Sequence, residues 1–403
     1  MIADKRDTVV RQLSAVSVFV LVIGGILLTM MPGVIAGDPS GDSTYTSSIE
    51  GLEIAINFVW VLVAGFLVFF MQAGFALVGV GAIRAKNAVN YLAKSYMDFS
   101  LGAIAFLVVG FAFMFGGSEA APGLELGNAF IGYSGWLLAG EAYDVTTNML
   151  FLFQAMFAAT AATIVAGAMA GRTKFQAYLI YTVIVTAVIY PIYGHWVWGG
   201  GWLSTLPYGA GALDFAGGTV VHISSGFSAL ALALVIGKRR GFGEEPMGPH
   251  NIPLTLLGAA LLWFGWFGFN GGSALAANGL AANAFVVTNT SAAAGALGWM
   301  AANWMHGKPS SLGVVSGAIA GLVGITPAAG FVTPMASIVI GLVAGVICYR
   351  AMLFRIKIGL DESLDAWAIH GVGGLWGALA QEYLQMKQWV VTRVCSTAML
   401  INS

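Results

Sequence analysis

The chain has 403 residues, 17 of them Lys or Arg and 18 Asp or Glu, for a formal net charge of −1. Charged residues make up 9% against roughly 25% in a soluble domain; hydrophobic residues make up 58%, glycines number 55, and mean hydropathy is +0.84. These values exclude a soluble globular enzyme, a disordered chain and, without a basic excess, a nucleic-acid binder. At about 20 residues per span they describe a polytopic membrane protein.

Apolar stretches long enough to span recur at 12–34, 51–83, 91–116, 145–170, 174–197, 216–237, 251–270, 280–304, 312–325, 335–354 and 362–381. The runs are continuous, without the alternating ten-residue segments of a membrane β-barrel, so they predict helices. Their glycines suit close helix packing in lipid. The first run follows Lys5, Arg6 and Arg11 and precedes Ala36 and Gly37. It reads either as a cleaved signal peptide or as a retained extra helix. Residues 1–50 thus form an N-terminal hydrophobic segment and outer loop.

Basic residues alternate from one connection to the next. Arg84, Lys86 and Lys94, then Arg172 and Lys174, then Lys238, Arg239 and Arg240, then Lys308, then Arg350, Arg355 and Lys357 join the three N-terminal ones to give 15 of the 17. The intervening connections hold Asp38, Asp42, Glu50, Glu119, Glu125, Glu141, Asp144 and Asp214 instead. The basic set therefore faces the cytoplasm. Ten helices between 51 and 381 divide into halves, 51–237 and 238–381. Five is odd, so the halves lie in opposite orientations, as in an inverted repeat whose site sits near the midplane. The last helix of each half carries H-x-x-x-G, as His222–Gly226 and His370–Gly374.

Ionisable groups well inside the spans are mainly Asp98, His222 and His370. Each is a functional candidate because burying it is costly. Two neutral imidazoles can bond to each other, one donating and one accepting, and line a path for a small polar molecule. Asp98 follows Lys94 by four residues, which predicts a structural ion pair. Asp214, in Asp214-Phe-Ala-Gly-Gly-Thr219, reads as a helix N-cap, with stabilisation of an incoming cation as a second role. His195, His250 and His306 read as structural or solvated. No histidine has metal-ligand spacing, and Cys348 and Cys395 have neither metal nor disulfide-framework spacing. Trp196, Trp198, Trp202, Trp263, Trp266, Phe267 and Phe269 cluster near outer helix ends, as an interfacial belt or in part as a cation–π site.

Several stretches resemble the ammonium transporter family (Amt/Mep/Rh), mostly its Amt branch. They are Gln72-Ala-Gly-Phe-Ala-Leu77 with Arg84-Ala-Lys-Asn87; Trp198-Gly-Gly-Gly201; Asp214-Phe-Ala-Gly-Gly-Thr-Val-Val-His222; Lys238-Arg239; Pro249-His-Asn-Ile-Pro253; Gly265-Trp-Phe-Gly-Phe-Asn-Gly-Gly-Ser273; Gly317-Ala-Ile-Ala-Gly-Leu-Val-Gly-Ile-Thr-Pro-Ala328; and His370-Gly-Val-Gly-Gly374. The match runs in order from residue 51 to about 380. It implies an all-α, five-plus-five inverted repeat, assembled as a homotrimer in the plasma membrane with one pore per subunit, no cofactor and no enzymatic activity. It implies ammonium or methylammonium recruitment by Trp198, Phe157 and Ser273, a gate of Phe157 and Phe269, twin pore histidines His222 and His370, and an acidic residue, Asp214, near the recruitment site. An ammonium sensor with little or no transport is the alternative.

The end departs from the family pattern. Residues 382–403 form a short tail with Lys387 and Arg393 and no eleventh span. We expect a truncated or frame-shifted end there, without the cytoplasmic tail through which family members usually meet a PII-type regulator.

Overall fold

The computed structural model of the protein describes residues 37–121, 123–207 and 211–384. The predicted segment at 12–34 and the tail beyond 384, with Lys387, Arg393 and Cys395, lie outside the described residues. Ten helices follow in chain order: α1 (Ile49–Ala82), α2 (Ala85–Phe115), α3 (Val145–Met169), α4 (Phe175–Trp198), α5 (Gly218–Ile236), α6 (Ile252–Gly272), α7 (Gly279–Trp304), α8 (Ser311–Ile325), α9 (Pro334–Lys357) and α10 (366–384). Among the described residues, all of these except α8 and α10 are long and apolar enough to cross a membrane. The predicted spans from 51 to 381 each correspond to one helix, and α2 starts six residues earlier than expected. Among the described residues there is no strand, only an isolated bridge between Gly127 and Gly132.

Helices form because hydrocarbon offers backbone groups no other partner. The first amide groups of each helix still need acceptors, and the sequence supplies them. Ser48, Asp144, Asn251, Asn278, Ser310 and Thr333 each accept a backbone N–H in the following turn. Proline occupies the first turn of α6 and of α9, where its missing N–H costs nothing.

Corresponding helices of the two halves pack on each other. α1 runs along α6, and α5 meets α10. Glycines set the first approach: a Cβ on Gly258 would lie 2.7 Å from the Gly74 carbonyl oxygen. α3 is buried along most of its length, with every residue from Phe153 to Met169 inaccessible, so it forms the wall around which the others are arranged.

The basic connections converge on one side. The Arg239 guanidinium grips Asp361 through Nε (3.0 Å) and Nη2 (2.6 Å). Arg172 reaches the Asp361 carbonyl at 2.7 Å and the Gly237 carbonyl at 2.5 Å. Three connections that are distant in sequence are thereby clamped together, as the charge alternation requires. On the opposite side the Asp38 amide donates to Asp144, and Asp38 itself caps a tight turn through Ser43 and Thr44.

The expected Lys94–Asp98 ion pair is absent. Lys94 Nζ donates to the Thr173 carbonyl at 2.6 Å, while Asp98 is fully buried among the Thr163 and Thr182 hydroxyls. The lysine stem runs toward the polar end of the helix, where an open carbonyl waits; the carboxylate lies a turn deeper.

The connection from α9 to α10 holds one more buried acid. Glu362 caps α10, its oxygens accepting the Ala366 and Trp367 amides at 2.7 and 3.2 Å. Burial, aided by the neighbouring Asp365 charge, pushes its carboxyl from 4.5 up to about 7. A carboxyl raised in this way contributes stability that is complete below about pH 4.5 and is lost as the pH rises through about 7. Glu362→Gln keeps an amide acceptor without the charge. Its melting temperature relative to the parent should climb by several degrees across that window, reflecting about 3 kcal/mol. Thermal denaturation in detergent over a pH series measures this; a constant difference between the two proteins would refute it.

Candidate functional site

The site starts at the beginning of α5. Gly217 adopts φ +107°, a conformation that favours glycine, and turns the chain so that four consecutive amides point at one carboxylate. Asp214 accepts the N–H of Gly217 and Gly218 (both 2.8 Å), Thr219 (2.7 Å) and Val220 (2.9 Å), together with the Thr219 hydroxyl. Both oxygens are fully engaged, so the capping role read from the sequence is the one the geometry displays. The carbonyl of the same residue accepts the Trp198 indole N–H at 2.7 Å. One residue thus sets the start of α5 and the orientation of the tryptophan.

Trp198, Asp214 and Ser273 line an outer cavity of about 320 Å³, with Gln154, Phe153 and Phe331 among the other walls. The Ser273 hydroxyl donates to the Phe269 carbonyl at 2.8 Å, which leaves its oxygen lone pairs as acceptors. Phe157 is not on that wall. It lies beneath, fully buried, 6.2 Å from the Trp198 ring and edge-on to it. Phe157 and Phe269 stack at 4.2 Å with 27° between planes, and neither is accessible to solvent. They lie beneath Trp198, behind the residues that line the cavity.

Ring contacts continue inward. Phe269 lies 5.6 Å from His222, nearly parallel to it. His222 then meets His370, Nδ1 to Nδ1, at 3.2 Å. One ring must donate and the other accept, so this contact holds a single proton. His370 forms part of the wall of an inner cavity of about 280 Å³, with Phe75, Thr163, Ser316 and Asp365. Outer cavity, phenylalanine pair, histidine pair and inner cavity thus stand in series.

Both histidines sit on wide, π-helical turns, at Gly218–Ile223 and Trp367–Val372. Such turns recur at functional sites because the extra residue re-aims a side chain. The glycine four residues after each histidine lets the other segment approach. A Cβ on Gly226 would lie 2.1 Å from the Gly371 nitrogen, and one on Gly374 would lie 3.3 Å from the His222 Cβ. The shared H-x-x-x-G pattern is therefore a reciprocal crossing of α5 and α10.

Trp266 belongs to this column, not to the outer belt in which the sequence grouped it. It is fully buried, stacks 5.2 Å from His222, and donates its indole N–H to Thr326. Its place three residues before Phe269, on the same helical face, was the available signal. Phe267 points elsewhere and stacks on Phe285. His195 lies outside the column. Its two ring nitrogens meet the Met114 and Asn128 carbonyls at 2.9 and 2.7 Å, tying the outer loop to the end of α2. His306 contacts the Ala302 carbonyl one turn back.

Comparison with known proteins finds relatives along most of the chain. The model of the Ammonium Transporter Family matches residues 59–401. Ammonium transporter Amt1 of Archaeoglobus fulgidus is 52% identical over 325 residues, 80% of each chain. The ammonium transporter of Bacillus subtilis is 44% identical over 332 residues, 80% of this chain and 78% of that one. Among solved structures, a Sensor Amt Protein superposes with a TM-score of 0.76 at 36% identity, covering 82% of this chain and 83% of the other. Candida albicans Mep2 superposes with a TM-score of 0.72 at 37% identity, covering 80% and 71%. The matched relatives are named as transporters or a sensor and not as enzymes, and the chain is a multi-pass membrane protein that belongs to the ammonium transporter family.

Proposed function

We propose that the protein recruits ammonium at the outer cavity, removes a proton from it, and conducts ammonia through the phenylalanine and histidine column to the cytoplasm. The observation that carries this reading is the series itself: an aromatic cavity, two closed rings, and a histidine pair that is polar but uncharged in its hydrogen-bonding logic. Ammonium is a small cation with four N–H donors. The Trp198 face and the Ser273 oxygen offset part of its lost hydration at the mouth. The stacked Phe157 and Phe269 offer no polar atom, so the charged form meets a desolvation barrier that ammonia does not. Potassium has a similar size and no proton to lose, so the same barrier rejects it. Asp214 acts by holding Trp198 and the start of α5 in place. The work divides between the halves 51–237 and 238–381, which contribute His222 and His370 respectively. We assign the assembly as a homotrimer in the plasma membrane, with methylammonium as an alternative substrate. The tail that would meet a PII-type regulator lies outside the described residues.

A second reading, an ammonium sensor that binds without sustained flux, is favoured by the resemblance to the Sensor Amt Protein. Charge movement in proteoliposomes after an ammonium jump, against a potassium jump, separates the two. Transport predicts a sustained, ammonium-specific current or an ammonia flux; a brief binding transient alone rejects it. His222→Ala should leave the protein folded and lower ammonium flux about tenfold, equal to about 1.4 kcal/mol, or admit potassium. An unchanged ammonium response would remove the histidine pair from the mechanism. Trp198→Leu should raise the half-saturating ammonium concentration about tenfold, as a cation–π contact worth about 1–2 kcal/mol requires. Equal loss at low and high ammonium would end its recruitment role.

A further inference from the structure

A fully buried acid sits beside this column and takes no part in it. Asp98 on α2 has no accessible surface and lies in no ion pair among the described residues. Lys94, the nearest candidate counter-charge in sequence, is committed to the Thr173 carbonyl. The groups around Asp98 come from four helices: Gln72 on α1, Tyr91 and Lys94 on its own helix, Thr163 on α3, and Tyr178, Tyr181 and Thr182 on α4. Apart from Lys94 all are neutral, and they are mostly hydroxyls. A carboxylate kept in a membrane span without a cation is costly, and such groups mark proton relays.

The contacts have an informative proton count. Thr163 Oγ1 lies 2.7 Å from Asp98 Oδ2 and 2.8 Å from Gln72 Oε1. Both are oxygen–oxygen distances of full hydrogen bonds, and a threonine has one proton for the two of them. With Asp98 protonated, its O–H donates to Thr163 and Thr163 donates to Gln72, and every contact is satisfied. With Asp98 ionised, Thr163 donates to Asp98, and the Gln72 amide turned over donates its Nε2–H to Thr163. Gln72 Nε2 is buried and has no other partner, as is also true of the Tyr181 hydroxyl, while the Tyr178 hydroxyl bonds to Asp98. The cluster therefore accommodates both charge states with one amide rotation. It also has an entrance, because Thr163 and Tyr91 line the inner cavity that His370 opens onto.

We infer that Asp98, Thr163 and Gln72 form a proton-holding site at the wall of the inner cavity, which stores the proton separated from ammonium and returns it on the cytoplasmic side. The step balances. An N–H bond of ammonium breaks and leaves ammonia. The released proton passes to His222 Nε2, which has no other partner, the shared Nδ1 contact hands one on to His370, and His370 Nε2 releases one to water in the inner cavity. That hydronium gives a proton to Thr163 Oγ1 while the original Thr163 proton passes to Asp98 Oδ2, so one bond to hydrogen forms for each broken and no electrons are transferred. Reversal releases the proton to ammonia or water at the cytoplasmic exit.

The inference rests on the transport reading above, and its test keeps the two apart. The full chain is reconstituted in proteoliposomes, and infrared difference spectra are recorded as ammonium is added and withdrawn, alongside current and ammonia flux. A protonated-carboxyl band should appear, and Asp98→Asn should abolish it. The same variant should lower the sustained current at least tenfold while ammonia flux persists, and Asp98→Glu should restore part of the current. If Asp98→Asn does not fold, Thr163→Val, which keeps the shape and removes the relay hydroxyl, should lower the current in its place. Absence of an Asp98-dependent band, or a parental current in a folded Asp98→Asn or in Thr163→Val, overturns the site and leaves the transport reading standing. Absence of any ammonium flux in the parent overturns transport instead, and the band then decides the site alone.

Discussion

Five hydrogen bonds to one carboxylate organise the column of aromatic rings and histidines. Asp214 gathers four backbone amides and a hydroxyl at the start of α5. These amides would otherwise be orphaned at the beginning of a helix inside the membrane, and a charge-assisted cap stabilises them more strongly than a neutral one. With α5 begun at Gly218, His222 falls as its fifth residue, opposite His370. Through its carbonyl the same residue fixes Trp198. An acid near a cation pathway invites a direct role on the cation; here its oxygens are occupied by the backbone, and its influence on the pathway is exerted through placement.

The column alternates polar and apolar layers. The outer cavity mixes an indole, a hydroxyl and apolar walls. Two stacked rings follow with no polar atom between them, then two imidazoles sharing one proton. On the transport reading proposed above, a cation gains at the first layer and loses at the second, whereas a neutral amine gains at the third. Selectivity of this kind depends on dryness more than on a fitted binding pocket. That explains why so much of the interior is aromatic, and why Trp266 is used to flank His222 where a smaller side chain would leave room for water.

Much of this was legible in the sequence, because some signals are set by lipid alone. Continuous apolar runs, the alternation of Arg172 and Arg239 with the outer acids, and the repeated H-x-x-x-G pattern each follow from constraints that act along the chain. The Asp214 cap was readable for the same reason, since its partners lie within six residues. What escaped depends on neighbours brought in by folding. Lys94 and Asp98 have the spacing of an ion pair, yet a loop carbonyl 79 residues away captures the lysine. Trp266 has the composition of the interfacial belt, and only the crossing of α5 places His222 against it. Gln72 stands in a recognisable motif, but its link to Thr163 joins positions 91 residues apart. The wide π-helical turns that carry both histidines leave no local mark in the residue pattern.

The glycine crossing of α5 and α10 has a consequence for speed. Where backbones meet, at Gly226 against Gly371 and Gly374 against the Gly218 carbonyl, the two helices are already at closest approach and have little slack for rocking. On the transport reading the aperture is governed by the swing of the Phe157 and Phe269 rings, which lie between Trp198 and the histidines. Both rings are buried and stacked on each other, so their rotation is tied to movement of their packed neighbours, unlike the fast flips of exposed side chains. On that reading, throughput then scales with how often a ring turns aside while the helices stay in place.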